Sequence, residues 1–259
     1  MLTDQKKIYF ASDFHFGVPT YEASLQREKL VVQWLDEMSA DADAIYLVGD
    51  IFDFWFEYKE AIPKGFVRFL GKIAELTDKG IAIHFFTGNH DMWMFGYLEK
   101  ELNVTIHREP IVLEVNGKKL LVGHGDGLGP GDKGYKFIKK VFSNRFFQWC
   151  FARLHPNFGI GIANYFSRSS RAATGETDEK FLGKENEWLA IYAEEYIQNE
   201  QIDYFVFGHR HLPIVLPIGA SSHYYNLGEW LKYQTYGVLD GSEFELRKYP
   251  SNELYEVDY

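Results

Sequence analysis

The sequence predicts a mixed α/β sandwich, two sheets flanked by helices, with a helical lid inserted before its last third. Three patterns lead there. Strand-like apolar runs alternate with amphipathic helical spacing in the first hundred residues, a βαβ rhythm that builds a sheet with helices on its faces. From Ile111 onward the chain turns to β-rich runs, with Asn116-Gly117 as a two-residue hairpin signal. Neither a Pro/Ser-rich linker nor an internal repeat divides the 259 residues. One domain is expected, its core formed by residues 1–134 and 176–259, with the insertion at 135–175.

The elements follow in order. A strand from Lys7 to Ser12 leads to a helix on which Leu30, Val31, Trp34, Leu35 and Met38 recur at helical spacing. A second strand, Ala44 to Val48, is followed by Phe66, Phe69, Leu70, Ile73 and Leu76 on another helix, which Lys79-Gly80 closes before the strand Ile81 to Thr87. A long helix is expected from Asp178 to Asn199, then a strand at Tyr204 to Phe207. Runs at His223 to Asn226, Tyr236 to Leu239 and Glu243 to Lys248 read as strands that complete the second sheet.

Five strand-like runs end in side chains that bind metals: Asp13-Phe14-His15, Gly49-Asp50-Ile51-Phe52-Asp53, Gly88-Asn89-His90-Asp91, Gly123-His124-Gly125-Asp126 and Gly208-His209-Arg210-His211. Each alone is a weak signal, a turn or a polar cluster as readily as a site. Five at equivalent places are not coincidental, because ligands gather at the carboxyl ends of strands in α/β sheets. Carboxylate, imidazole and carboxamide donors suit Mn²⁺, Fe or Zn²⁺ rather than calcium or a thiolate-bound metal, and two divalent cations are implied. Four of the segments begin with Gly, whose missing Cβ allows a sharp turn and a close backbone approach.

Charge is unevenly placed. The chain is acidic overall at −10, yet Lys133 to Arg171 holds eight basic residues and no Asp or Glu. Such an island suits an anionic partner, while the global charge disfavours general nucleic-acid binding. Within it Ile138, Phe142, Phe146, Trp149 and Cys150 follow helical spacing, and a second apolar run spans Phe158 to Phe166. Ordinary packing would explain aromatics on a helix, but their density beside cations between two donor segments favours a lid meeting lipid or a lipid-bearing substrate. The lone Cys150 excludes an intrachain disulfide and fits a reducing compartment. Met1 to Lys7 carries no apolar signal core and no stretch reaches 18 apolar residues, so a cytosolic location or the cytosolic membrane face is expected.

In this order the donor segments resemble the calcineurin-like metallophosphoesterase superfamily, over nearly the whole chain. The resemblance implies a four-layer α/β/β/α mixed sandwich and two metal ions, Mn²⁺ foremost. It implies that Asp13, His15, Asp50 and His211 hold one ion, that Asp50, Asn89, His124 and His209 hold the other, and that Asp50 bridges them. His90 resembles the superfamily's second-sphere histidine, which stabilises phosphoryl oxygens or protonates the leaving group, with Asp91 orienting its ring; a hydrogen-bonding strut is the other reading. Asp53 reads equally as a residue that orients a ligand histidine or as a helix cap, and Asp126 is similar. Arg210 faces either a substrate phosphate or a surface carboxylate.

The nearest resemblance is to the UDP-2,3-diacylglucosamine hydrolase family of lipid A biosynthesis. It rests on His124-Gly125-Asp126-Gly127-Leu128 with Asp132-Lys133-Gly134-Tyr135, on Gly208 to Pro213, and on Leu227-Gly228-Glu229-Trp230. It implies hydrolysis of the substrate pyrophosphate to UMP and 2,3-diacylglucosamine 1-phosphate at the cytoplasmic face of an inner membrane. Substrate contacts are implied for Asp132 and Tyr135, with Arg171, Lys180 and Lys184 as further candidates. That family typically has Arg after the ligand Asn, where this chain has His90. The rival readings are another pyrophosphatase, phosphodiesterase or nuclease using the same metals, and a non-catalytic membrane or protein-interaction scaffold.

Overall fold

Strand β1 (Lys7–Ala11) occupies the middle of a seven-stranded sheet. The computed structural model that shows this describes residues 6–130, 133–163, 165–167 and 180–256. Parallel to β1 on one side run β2 (Ala42–Val48), β3 (Ala82–Phe86) and β4 (Thr105–His107). The second sheet has five strands, in the order β5 (Ile111–Val115), β6 (Lys118–Gly123), β7 (Tyr204–Phe207), β9 (Ser222–Leu227) and β8 (Pro213–Ile218). Asn116 (φ 52) and Gly117 (φ 76) turn β5 into β6, the left-handed pair that a tight hairpin requires.

Three apolar layers hold the sandwich together. Helices α1 (Tyr21–Met38), α2 (Val67–Asp78) and α3 (Tyr97–Leu102) cover one face of the first sheet around Phe14, Trp34, Phe69 and Trp230. Between the sheets lie Phe10, Tyr46, Val48, Phe86, Val206 and Phe244. Outside the second sheet, α7 (Trp188–Tyr196) packs Leu189, Ala190 and Ala193 on Phe205, Phe207 and Ile214. The result is the expected α/β/β/α order. β1, β2 and β3 are parallel in one sheet and β6 and β7 in the other, so the five donor segments leave from carboxyl ends of strands.

Three expectations need correction. The strands at 236–239 and 243–248 do not finish the second sheet: β10 (Thr235–Asp240) pairs antiparallel with β1, followed by β11 (Glu243–Lys248) and β12 (Glu253–Leu254). Periodicity says that a segment is a strand, but its sheet is chosen by which edge can bury both its faces. The long helix over 178–199 shrinks to α7, because left-handed Gly183 (φ 92) and extended Glu187 interrupt the helical backbone, leaving only a 3-10 turn at Lys184–Asn186 before it; residues 178 and 179 lie outside the described part. The insertion's first apolar run divides into α4 (Lys133–Phe142) and α5 (Arg145–Phe151), since Asn144 takes an extended conformation and caps the amide of Phe146. Residues 156–163 form a further helix, α6. No described helix is long and apolar enough to cross a membrane.

Candidate metal centre

Backbone hydrogen bonds tie the donor loops to one another. Asp13 N–H donates to the Gly49 carbonyl (3.1 Å), His15 N–H to that of Asp50 (2.9 Å), and Gly208 N–H to that of His124 (3.0 Å). Arg27 reaches from the buried side of α1 to the carbonyls of Phe14 (2.5 Å), His15 (2.6 Å) and Val18 (2.6 Å), pinning the first loop. Asp13 (φ 56), His15 (φ 45), Asp50 (φ 51), His209 (φ 71) and His211 (φ 56) all adopt the left-handed backbone. That conformation costs a non-glycine residue about 1–3 kcal/mol, and such residues cluster where surrounding structure dictates a side-chain direction for function. The glycines serve space as much as turning. A methyl on Gly88 would overlap the Asp50 carboxylate, and one on Gly208 would overlap Ser12 and Asp13.

The side chains converge as two groups that share Asp50. In the first, donor atoms of Asp13, His15, Asp50 and His211 all lie within 4.8 Å of one another. His211 Nε2 is 3.3 Å from Asp13 Oδ1 and 3.0 Å from His15 Nε2. In the second, Asn89 Oδ1 lies 3.0 Å from His209 Nδ1 and 3.3 Å from His124 Nε2. Asp50 Oδ2 stands between them, 3.9 Å from His15 Nε2 and 3.4 Å from His124 Nε2. Its other oxygen accepts the His90 N–H at 2.9 Å, which fixes the carboxylate plane. His124 Nδ1 donates to the Val48 carbonyl (2.9 Å), so Nε2 is the nitrogen turned inward.

Electrostatics match this geometry. Burial alone would raise Asp13 and Asp50, but the surrounding histidines hold both carboxyls below the ordinary carboxylate range, His15 and His211 acting on Asp13 and His124 and His90 on Asp50. Burial pushes His15 and His209 down to about 4, leaving neutral imidazoles, the form in which histidine binds a metal. His124 runs the other way: burial would lower it, yet the facing Asp50 charge takes it up to about 10. A cation bound there displaces a proton.

His90 sits beside this ring, edge-on to His15 with centroids 5.0 Å apart. Asp53 lies beside both: its carbonyl is 3.1 Å from His90 Nδ1, while its Oδ1 stays 3.8 Å from His15 Nδ1 and 3.7 Å from His90 Nδ1, beyond hydrogen-bonding distance. The orienting contact it makes is with His90, which is not among the expected ligand histidines, and it is made by the backbone carbonyl. The Asp91 contact expected with His90 is not formed. Asp91 instead accepts the backbone N–H groups of Gly88 (2.8 Å), Ile51 (2.8 Å) and Phe52 (3.3 Å), stitching the second loop to the third. Burial, then the Asp50 charge, pushes its pKa up to about 7. Asp126 pairs with Lys139 of α4 at 2.7 Å.

The outer residues divide. Arg210 pairs with an interior carboxylate: its Nε donates to buried Glu187 at 2.9 Å, and the guanidinium lies over the Trp188 ring. Glu187→Ala removes that buried ion pair, the Lys180 carbonyl contact at 3.3 Å being kept, and is expected to lower stability by about 2 kcal/mol, read as a shift in the denaturant midpoint. Lys180 is exposed. Lys184 is bound to Glu194 (2.6 Å) and the Pro217 carbonyl (2.6 Å), away from the converging donors. Asp132, Arg171 and the Tyr135 side chain lie outside the described residues. Sequence reasoning missed Arg27, Glu187 and Ser167. Arg27 had a signal, a charge in line with Val31, Trp34 and Met38 on the buried face of α1.

Residues 6–213 match the model of the calcineurin-like phosphoesterases. The chain belongs to the calcineurin-like phosphoesterase family. It is 38% identical over 256 residues to the UDP-2,3-diacylglucosamine hydrolase of Porphyromonas gingivalis, covering 93% of this chain and 97% of that protein. The enzyme of the same name from Aeromonas salmonicida is 24% identical, with 93% and 94% covered. Among solved structures, the E. coli phosphoesterase Yfce aligns with 96% of this chain and 97% of its own at a TM-score of 0.47 and 17% identity. Calcineurin-like phosphoesterases use a divalent metal centre, and this chain's residues fit one. Among the described residues, Asp13 Oδ1, Asp50 Oδ2 and His15 Nδ1 are buried and have no hydrogen-bond partner. Inward-facing carboxylate oxygens left so are costly in a protein interior and are what a bound cation would satisfy.

Proposed function

We propose that this chain hydrolyses the pyrophosphate bond of UDP-2,3-diacylglucosamine, releasing UMP and 2,3-diacylglucosamine 1-phosphate, with two divalent ions, Mn²⁺ foremost, as cofactors. The observation that carries this is 38% identity to the P. gingivalis hydrolase across 97% of that protein. Asp13, His15, Asp50 and His211 would hold one ion, and Asp50, Asn89, His124 and His209 the other. Bound there, such ions act as Lewis acids toward phosphoryl oxygens and lower the pKa of water.

The protein's own groups supply orientation and proton handling. The half-buried His90 ring gives its Nδ1–H to the Asp53 carbonyl, so Nε2 carries a proton only on the imidazolium, and in that form it would donate to a phosphoryl oxygen or protonate the departing phosphate. A diacylated sugar nucleotide also needs a place for its chains, each buried methylene being worth roughly 0.8 kcal/mol. Exposed aromatics of the insertion answer that need: Phe146 and Trp149 of α5 are 64% and 54% exposed and Phe166, beyond α6, 66%, while Lys140 and Arg145 also stand exposed. The same surface supports attachment to the cytoplasmic face of an anionic membrane, with nucleic acid not expected as a partner.

Purified protein loaded with Mn²⁺ is expected to convert UDP-2,3-diacylglucosamine to UMP, and chelation to abolish that conversion. Chromatography of the uridine product decides the matter. Release of UDP, or no uridine product from metal-replete protein, overturns the assignment.

A further inference from the structure

We propose that Ser167, contributed by the helical insertion, is a positioning residue for His90, so that the imidazole takes its working orientation only while the insertion is docked. Ser167 Oγ donates to Asp53 Oδ2 at 3.0 Å and lies 3.4 Å from His90 Nδ1. As donor to the carboxylate, the hydroxyl has its lone pairs turned to the imidazole, so it accepts from Nδ1–H. Nδ1–H is then shared with the Asp53 carbonyl at 3.1 Å, which keeps a proton on Nδ1 and fixes the ring, and with it the direction of Nε2. The core of the fold supplies Asp53 and His90; the insertion supplies the hydroxyl that joins them.

Docking of the insertion is itself tied to the donor loops. Lys139 of α4 reaches Asp126, two residues after His124, through the carboxylate (2.7 Å) and the backbone carbonyl (3.1 Å). Trp93, four residues after Asn89, donates its indole N–H to the Phe142 carbonyl (2.9 Å). Phe151 of α5 closes on Phe56 and Trp93, with centroids 4.8 and 4.9 Å apart. A seam of this kind, a few polar contacts and one aromatic cluster at the rim, is drawn from the low-stability end of a fold and can open without global unfolding. Opening it withdraws Ser167 from His90 and leaves the metal-facing donors where they are.

This inference rests on the proposed phosphohydrolase reading, and the test separates the two. Ser167→Ala and Ser167→Thr, in the full Mn²⁺-loaded chain, are assayed on bis(p-nitrophenyl) phosphate, a soluble diester, and on UDP-2,3-diacylglucosamine. Ser167→Ala is expected to lower kcat about tenfold on both, with KM within about twofold and metal content unchanged. Threonine, which keeps the hydroxyl, restores most of the loss. In a His90→Asn background the alanine change adds nothing further, because its effect passes through the imidazole. A kcat within about twofold of the parent, or an equal drop in the His90→Asn background, overturns the proposal. Turnover of the diester alone would remove the lipid substrate and leave the role of Ser167 under test. A second readout needs no turnover: in the Mg²⁺-loaded chain, Ser167→Ala shifts the ring ¹⁵N resonances of His90 and spares those of His84 and His107. Unmoved His90 signals also overturn it.

Discussion

Asp50→Ala is expected to abolish turnover, lowering kcat/KM by on the order of 10⁴-fold, and to strip the protein of bound metal. Contacts of Asp50 reach both donor groups. Its Oδ2 stands between the His15 and His124 nitrogens, its Oδ1 holds the His90 amide, and its backbone carbonyl receives the His15 amide. Alanine removes the first two contacts and spares the third, so the loops keep their backbone tie while the shared carboxylate disappears. Asp50→Asn is the sharper control, since it keeps the shape and an oxygen for the His90 amide but loses the charge. If charge is what the two donor groups share, asparagine loses metal nearly as completely as alanine. Metal content by mass spectrometry is read beside kcat/KM. Parental turnover in either metal-depleted variant would refute a shared-carboxylate centre.

That Asp50 and its neighbours stand out in the amino-acid sequence is a matter of local chemistry. Each donor segment follows a strand whose apolar run marks it as buried on both faces, and a polar cluster at the end of such a run has to lie at a sheet edge. The layer order followed from the same alternation. What local pattern does not carry is partner choice. Whether Tyr236 to Leu239 joins β1 or the second sheet depends on an edge left about 225 residues earlier. Asp91 misled for a similar reason: adjacency in sequence pointed to His90, whereas its carboxylate turns back to amides near residue 51, forty positions away. Glu187 falls inside the helix expected over 178–199, and only the tertiary fold sets Arg210 against it. Ser167 lies in a polar, serine-rich stretch where no single hydroxyl is distinguishable, and its contacts are with loops more than 70 residues away.

Truncating Phe146 and Trp149 together to Ala is expected to raise KM for UDP-2,3-diacylglucosamine about a hundredfold and to leave KM for a soluble phosphodiester within about twofold. The sides of the insertion explain the difference. Phe151 is spent on docking, against Phe54, Phe56 and Trp93, and its loss would register as stability. Phe146 and Trp149 are stacked on each other (centroids 6.3 Å, planes 20° apart) and stand mostly in water, with Arg153 over the indole at 4.8 Å. Exposed rings contribute little to folding, so their removal leaves the thermal midpoint close to the parent's. An acyl chain laid across them would bury each ring face, and about 1.4 kcal/mol apiece is a hundredfold in binding. Were the aromatics mere packing, both substrates would suffer equally and the midpoint would fall with them. Kinetics on the two substrates, set beside one melting curve, distinguish a surface that receives lipid from one that only closes the fold.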